Sequence, residues 1–145
     1  MRGRGLQTVL MIIVVVGLAI DAYVHYHLAS AFRHNKTSVL SEPELFRAEA
    51  TVAVIAALAL LLRPRRYTAA LAFLVAAAGT VAVVLYRYVN VGKIGPVPNM
   101  YDPFWAPREK NLSAIAEAVA ALAALVLLTQ FQARTRGRVG VGLRA

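Results

Sequence analysis

Cysteine is absent from this sequence of 145 residues, and acidic residues are few, with seven against sixteen lysines and arginines. Without cysteine the chain forms no disulfide, performs no thiol redox chemistry and offers no thiolate to a metal. Any metal ion would therefore bind through histidine and carboxylate side chains. The three histidines all lie between positions 25 and 34, which excludes a haem held between histidines of two membrane segments.

Motifs of several enzyme and transporter classes are also missing. The sequence has no glycine-rich phosphate loop and no Ser/His/Asp arrangement at a nucleophile elbow. It lacks the repeated pair of interrupted helices found in secondary transporters, which argues against a self-contained transporter. The sequence therefore predicts no particular reaction.

Apolar residues, in contrast, are abundant. Hydrophobic residues make up 59% of the chain and charged residues 16%, and the mean hydropathy is +0.61, far from the balance of soluble domains. Four apolar segments are long enough to cross a hydrocarbon core, which takes ~20 helical residues. We therefore predict an all-α fold, a four-helix transmembrane bundle that forms one domain over residues 1–145. The predicted helices span about 6–28, 43–62, 67–88 and 111–131, with loops at 29–42 and 89–110 and a basic tail at 132–145.

Local signals set these boundaries. Ser41-Glu-Pro-Glu44 is a capping box with proline in the first helical turn, so the second helix begins there. Arg63-Pro-Arg-Arg66 is a tight basic turn that leads at once into the third helix. Repeated proline in 89–110 breaks both helix and strand, so an ordered or semi-ordered loop is expected, with its aromatic residues at the membrane interface or capping the bundle.

The start of the chain allows a competing interpretation. Ala29-Ser30-Ala31 resembles the cleavage site of a signal peptide. The apolar run before it is long, however, and ionisable residues interrupt its approach to that site. We favour an uncleaved first helix.

The distribution of charge predicts the orientation in the membrane. Nine basic residues have no acid near them in sequence, whereas the other seven lie among the seven acids. Four crossings place both termini and the 63–66 turn on one side, and this side holds all nine. By the positive-inside rule both termini are cytoplasmic in a multi-pass plasma-membrane protein, and the basic excess does not indicate nucleic-acid binding. The nine residues are Arg2, Arg4, Arg63, Arg65, Arg66, Arg134, Arg136, Arg138 and Arg144.

Ionisable residues within the apolar segments form the candidate site. Asp21 and His25 lie one turn apart on one helix face. Glu49 and Glu117 lie at the depth of Asp21, roughly 8–10 Å below the outer helix ends. Small residues follow the same faces, which favours convergence inside the bundle, and ionisable groups at this depth are read as functional. The predicted metal ligands are Asp21, His25, Glu49 and Glu117, and the predicted ligands or charge partners around them are Arg87, Arg47 and His27.

This set of nitrogen and oxygen donors suits a divalent metal, with copper or zinc as the expected cofactor and iron or manganese as further candidates. Three other interpretations are open. The charges could form a structural network that fixes helix register. They could handle a proton or a small amphipathic ligand such as a quinone, with the 89–110 loop as a lid. The chain could also be a structural or accessory subunit of a larger membrane redox or transport complex. The expected partners are the lipid bilayer and a membrane protein or a second copy, with no nucleic acid.

Two stretches carry a resemblance to known proteins. Ser41-Glu-Pro-Glu-Leu-Phe-Arg47 opens the second helix, and Tyr86-Arg-Tyr-Val-Asn-Val-Gly92 leads into Gly95-Pro-Val-Pro-Asn-Met-Tyr-Asp-Pro103. With its Arg- and Ala-rich composition, the whole chain resembles the small four-helix integral membrane proteins of high-GC actinobacteria. Its architecture also resembles that of DoxX-type membrane proteins. The resemblance implies a bacterial plasma membrane but no functional residue, because fold does not fix function.

Overall fold

The computed structural model describes the backbone of residues 2–142 and the side chains of residues 3–133, and the fold is all-helical. The part described contains no β-strand, only two isolated bridges, Lys36 to Ser41 and Ile94 to Val97. The predicted all-α class and four-helix architecture are confirmed. The helices are α1 Arg2–Leu28, α2 Glu42–Leu62, α3 Arg66–Tyr88 and α4 Arg108–Gly142, and a short 3-10 helix, Ala29–Phe32, follows α1.

All four helices are long and apolar enough to cross a membrane. Large apolar side chains also cover their outward faces, among them Ile55 at 54% exposed, Leu74 at 62% and Leu122 at 67%. Apolar surface on this scale would be unfavourable in water but matches a hydrocarbon environment. The chain is therefore a small multi-pass membrane protein whose outer faces suit contact with lipid.

The four helices form a ring in which α1 and α3 lie diagonally opposite each other. Helix α1 packs mainly against α2 and α4, and α3 packs against the same two helices. Small side chains line these contacts, as predicted, and Ala53 and Ala120 have no exposed surface. The α1–α4 approach is close at Gly17, where a Cβ would lie 2.8 Å from the carbonyl oxygen of Ala116. Close backbones bring polar side chains of α1 and α4 within bonding distance of each other.

The start of α2 follows its sequence signal. The Ser41 hydroxyl accepts a hydrogen bond from the Glu44 backbone N–H at 3.4 Å, and the Glu44 carboxylate accepts one from the Ser41 N–H at 2.7 Å. This reciprocal pair is the predicted capping box. It fixes the direction in which α2 enters the bundle.

Helix α4 is longer than expected. It begins at Arg108 and continues to Gly142, through most of the segment predicted as a basic tail. No proline follows Pro107 in the sequence, and glutamine, alanine and arginine after Phe131 are good helix formers. The side chains of the tail arginines predicted to lie inside, and that of Arg2, fall outside the described side chains.

Two segments, 33–41 and 89–107, cover one end of the bundle, which we call the loop end. Asn35 links them, since its amide donates to Glu42 Oε2 at 2.5 Å and to the carbonyl of Asn99 at 2.8 Å. Thr37 adds a second link by donating to the carbonyl of Pro96 at 2.7 Å. The long Pro-rich segment is therefore an ordered cap over the loop end.

The cap is also anchored to the helices beside it. The Asp102 backbone N–H donates to the carbonyl of Tyr86 at the end of α3, at 3.1 Å. Lys110 of α4 forms an ion pair with Asp102 at 2.7 Å and also donates to the carbonyl of Phe104 at 3.0 Å. Gly92 has a positive φ of 69°, a conformation that suits glycine in a turn. These contacts position the cap over the space between the helices.

Candidate metal centre and the adjoining cavity

Three of the predicted site residues meet inside the loop end. Asp21 and His25 of α1 form an ion pair, with His25 Nδ1 2.7 Å from Asp21 Oδ1. The same nitrogen lies 3.1 Å from the Asp21 carbonyl oxygen, one helical turn back. Glu117 of α4 completes the group, and one ligand atom from each residue lies within 4.8 Å of the other two. We call Asp21, His25 and Glu117 the triad.

The spacing of the triad is close to that of a metal centre. In a tetrahedral site, ligands that lie ~2.0–2.2 Å from one zinc ion are about 3.3–3.6 Å from each other. One ligand atom from each triad residue lies within 4.8 Å of the other two, which is somewhat wider. The side chains would have to move closer together to place one nitrogen and two oxygens around a single ion.

Ser113 connects the two acids of the triad. Its hydroxyl oxygen lies 2.8 Å from Asp21 Oδ1 and 3.0 Å from Glu117 Oε1. A hydroxyl has one hydrogen to donate. It can therefore donate to only one carboxylate, and the second contact is a hydrogen bond only if that carboxyl carries a proton. The arrangement needs a proton or another cation between the two acids.

Each acid also has one oxygen without a partner. Asp21 and Glu117 are both 1% exposed, and Asp21 Oδ2 and Glu117 Oε2 accept no hydrogen bond from any described residue. Buried polar atoms nearly always have a partner, because an unsatisfied one loses its hydration without compensation. The two carboxyl groups also interact with each other, so either a shared proton or a bound cation would satisfy these oxygens.

The backbone of α3 closes the side of the triad opposite α1. A Cβ placed on Gly79 would collide with Oε2 and Cδ of Glu117. Glycine at this position thus gives the Glu117 carboxylate its room. This role was not predicted from the sequence, where Gly79 is one small residue among many on an alanine-rich face.

A cavity of about 470 Å³ adjoins the triad at the loop end. His25 and Glu117 lie in its wall, whereas Asp21 does not. Val97 and Met100 of the cap form part of the wall, which supports the predicted covering role of the 89–110 segment. The other polar or ionisable lining residues are Glu42, Glu49, Tyr86, Asp102, Lys110 and Ser113.

Glu49, the fourth predicted ligand, lies in the cavity wall and is not one of the three residues whose ligand atoms cluster. It is half-buried, and among the described residues its carboxylate has neither a hydrogen bond nor an ion pair. It lines the same cavity as His25 and Glu117, and the position of α2 leaves it outside the triad.

The three predicted charge partners lie elsewhere. Arg87 directs its guanidinium to the rings of Tyr88 and Trp105, with its central carbon 4.9 Å and 5.7 Å from the two centroids. Arg47 is exposed, and His27 is exposed and stacks on Tyr23. Among the described side chains, none of the three forms an ion pair with a triad acid.

Two further polar residues near the site were not identified from the sequence. Ser113 lies one turn before Glu117, a spacing that could have indicated its contact with that acid. Glu42 is 4% exposed in the cavity wall and accepts the hydrogen bond from Asn35. It lies in the first turn of α2, and no role in the site was predicted for it.

The geometry therefore combines two buried acids and a partly buried histidine with a larger cavity beside them. Comparison of the chain with protein-family models, with curated proteins and with solved structures finds no match.

Proposed function

We propose that this protein binds one divalent metal ion, zinc or copper, at Asp21, His25 and Glu117. The observation that carries the proposal is the pair of orphan oxygens, Asp21 Oδ2 and Glu117 Oε2, beside a histidine in a buried site. One imidazole and two carboxylates match the ligand preferences of zinc and copper(II).

The charge of the site supports a divalent occupant. Two buried carboxylates share only one basic neighbour among the described side chains, His25, which pairs with Asp21. An uncompensated buried charge destabilises a protein by several kcal/mol. A divalent cation with neutral imidazole would balance both acids, and a proton on one acid would do so without metal.

A cation would reach the triad through the cavity. His25 and Glu117 belong both to the triad and to the cavity wall. The cap of 89–107 lies over this space, so ions would enter from the loop end. With both termini cytoplasmic in a plasma membrane, as the nine unopposed basic residues support, that entry faces outward.

A second function is favoured by Ser113. With one proton on either acid, its two contacts become ordinary hydrogen bonds that join α1 to α4. The cluster would then be a structural network in an accessory subunit of a larger membrane complex. Metal content separates the two functions.

The test is elemental analysis of the untagged protein purified in detergent, with H25Q compared with H27Q. His25 is in the triad, whereas His27 lies two residues away, is exposed and stacks on the Tyr23 ring. We expect near-stoichiometric metal in the wild type and H27Q and a large loss in H25Q. Equal metal in both variants, or none in the wild type after incubation with zinc or copper(II), would refute the proposal.

A further inference from the structure

The cavity has much more room than the metal site requires. Its volume of about 470 Å³ falls in the range of roughly 300–1,000 Å³ typical of pockets for small organic ligands. The triad occupies only one side of it, through His25 and Glu117. The rest of the space is suited to a second, larger occupant.

Most of the cavity wall is apolar. Phe46 of α2 contacts the rings of both Phe32 and His25 edge to face, at centroid distances of 5.3 Å and 5.1 Å. Leu28, Leu45, Val52 and Val83 continue the apolar surface. Such walls favour a ligand with an apolar body.

The charged groups in the wall are mainly acidic. Lys110 is already paired with Asp102, and His25 with Asp21. Glu42 accepts a hydrogen bond from Asn35. Glu49 is left as a half-buried carboxylate with neither an ion pair nor a hydrogen bond from the described residues. A cationic ligand would supply the missing charge, whereas an anion would be repelled.

We propose that the cavity binds an organic cation with an apolar body, whose charge lies against Glu49 while the body packs on Phe46 and the aliphatic wall. Aromatic side chains add to this preference, because a ring face attracts a cation. His25 and Glu117 belong to both sites, but Glu49 lies outside the triad and Asp21 lies outside the cavity wall. Variants of Glu49 and of Asp21 therefore test the cation site and the metal site separately.

Two probe ions that have the same shape but opposite charges test whether the cavity prefers a cation. Equilibrium dialysis of the detergent-purified protein would measure binding of tetraphenylphosphonium and of tetraphenylborate, with protein-free micelles subtracted. We expect saturable binding of the phosphonium alone. Equal binding of the two ions, or partition into micelles only, would overturn the proposal.

Variants then locate the site. E49Q removes the charge and keeps the shape, and loss of a half-buried charge partner should weaken phosphonium binding by roughly tenfold or more. E109Q, which removes an acid outside the cavity wall, is the matched control and should bind within roughly twofold of the wild type. Binding by E49Q equal to that of E109Q would refute the assignment.

A second variant tests the volume of the cavity, and a stability measurement tests whether E49Q is folded. V52F fills the cavity from α2 without changing its charge and should also weaken phosphonium binding. Thermal unfolding of E49Q should be no easier than that of the wild type, because an unpaired carboxylate is removed. Metal analysis of the same variants shows whether the triad is intact, so a failure of the cation site is distinguished from a failure of the metal site.

Discussion

The hydroxyl of Ser113 on α4 lies 2.8 Å from Oδ1 of Asp21 on α1, across the closely packed interface of these two helices. Both residues are buried, at 4% and 1% exposed. The same hydroxyl contacts Glu117, so one neutral side chain joins the two acids of the triad. The spacing of the acids therefore depends on Ser113 as well as on the backbone.

Replacing Ser113 by alanine should destabilise the protein. The substitution leaves buried carboxyl oxygens without their shared partner, at a cost of about 1–3 kcal/mol. The unfolding free energy, measured by titration with a denaturing detergent, should fall by that amount. S38A is the control, since Ser38 is exposed in the loop before α2. Equal stability of S113A and S38A would show that the Ser113 contacts contribute little.

Replacing Gly79 by alanine should displace the Glu117 carboxylate. The added Cβ would overlap Oε2 and Cδ of Glu117, so the side chain or α3 must move. Overpacking of this kind costs typically about 1–3 kcal/mol. We expect G79A to lose both stability and metal, measured by detergent unfolding and elemental analysis.

Gly5 provides the control for that substitution. A Cβ at Gly5 meets no atom within 4 Å, so G5A should keep the metal content and stability of the wild type. If G79A retained the metal as well as G5A, Glu117 would not be a ligand in the observed conformation.

Metal binding should weaken as the pH falls. Carboxylate and imidazole ligands must be free of protons to bind an ion, so protons and metal compete for the triad. Beside Ser113 of α4 and Gly79 of α3, the ionisable residues facing the same space are Glu42 and Glu49 of α2, Tyr86 of α3, Asp102 of the cap and Lys110 of α4. The triad residues bind the ion directly, so their protons set the direction of the pH dependence. Affinity should therefore rise with pH, and binding should release protons.

Calorimetry in buffers of different ionisation enthalpy would count those protons. The E49Q variant is informative here, because Glu49 faces the cavity without belonging to the triad. Its proton release should match that of the wild type. Affinity that does not vary with pH would contradict binding at these residues.

The sequence predicted the parts of this site that depend on helix periodicity and depth. Asp21 and His25 had to share a face, and the depth of Glu117 placed it at their level. Small residues on the same faces predicted the close packing that brings α1 and α4 together. The order of the helices and the capping box of α2 followed from equally local signals.

The remaining features depend on how the helices are rotated against one another. Glu49 faces the cavity instead of joining the triad, and Arg87 lies over aromatic rings instead of among the acids. The direction in which each of these side chains points does not follow from the residues near it in sequence. The role of Gly79 likewise arises only from the approach of α3 to Glu117. Such contacts become visible only when packing fixes the side chains in three dimensions.

The orientation in the membrane can be tested directly, because the chain has no cysteine of its own. Lys93 of the cap and Arg63 of the turn between α2 and α3 are both exposed, so a difference in labelling would not reflect burial in the bundle. An impermeant maleimide should label K93C in intact cells and R63C only after the membrane is permeabilised. This result would place the cavity on the outer side and identify the outside as the source of its ligands. Labelling of R63C but not K93C in intact cells would reverse the topology and make the cavity open toward the cytoplasm.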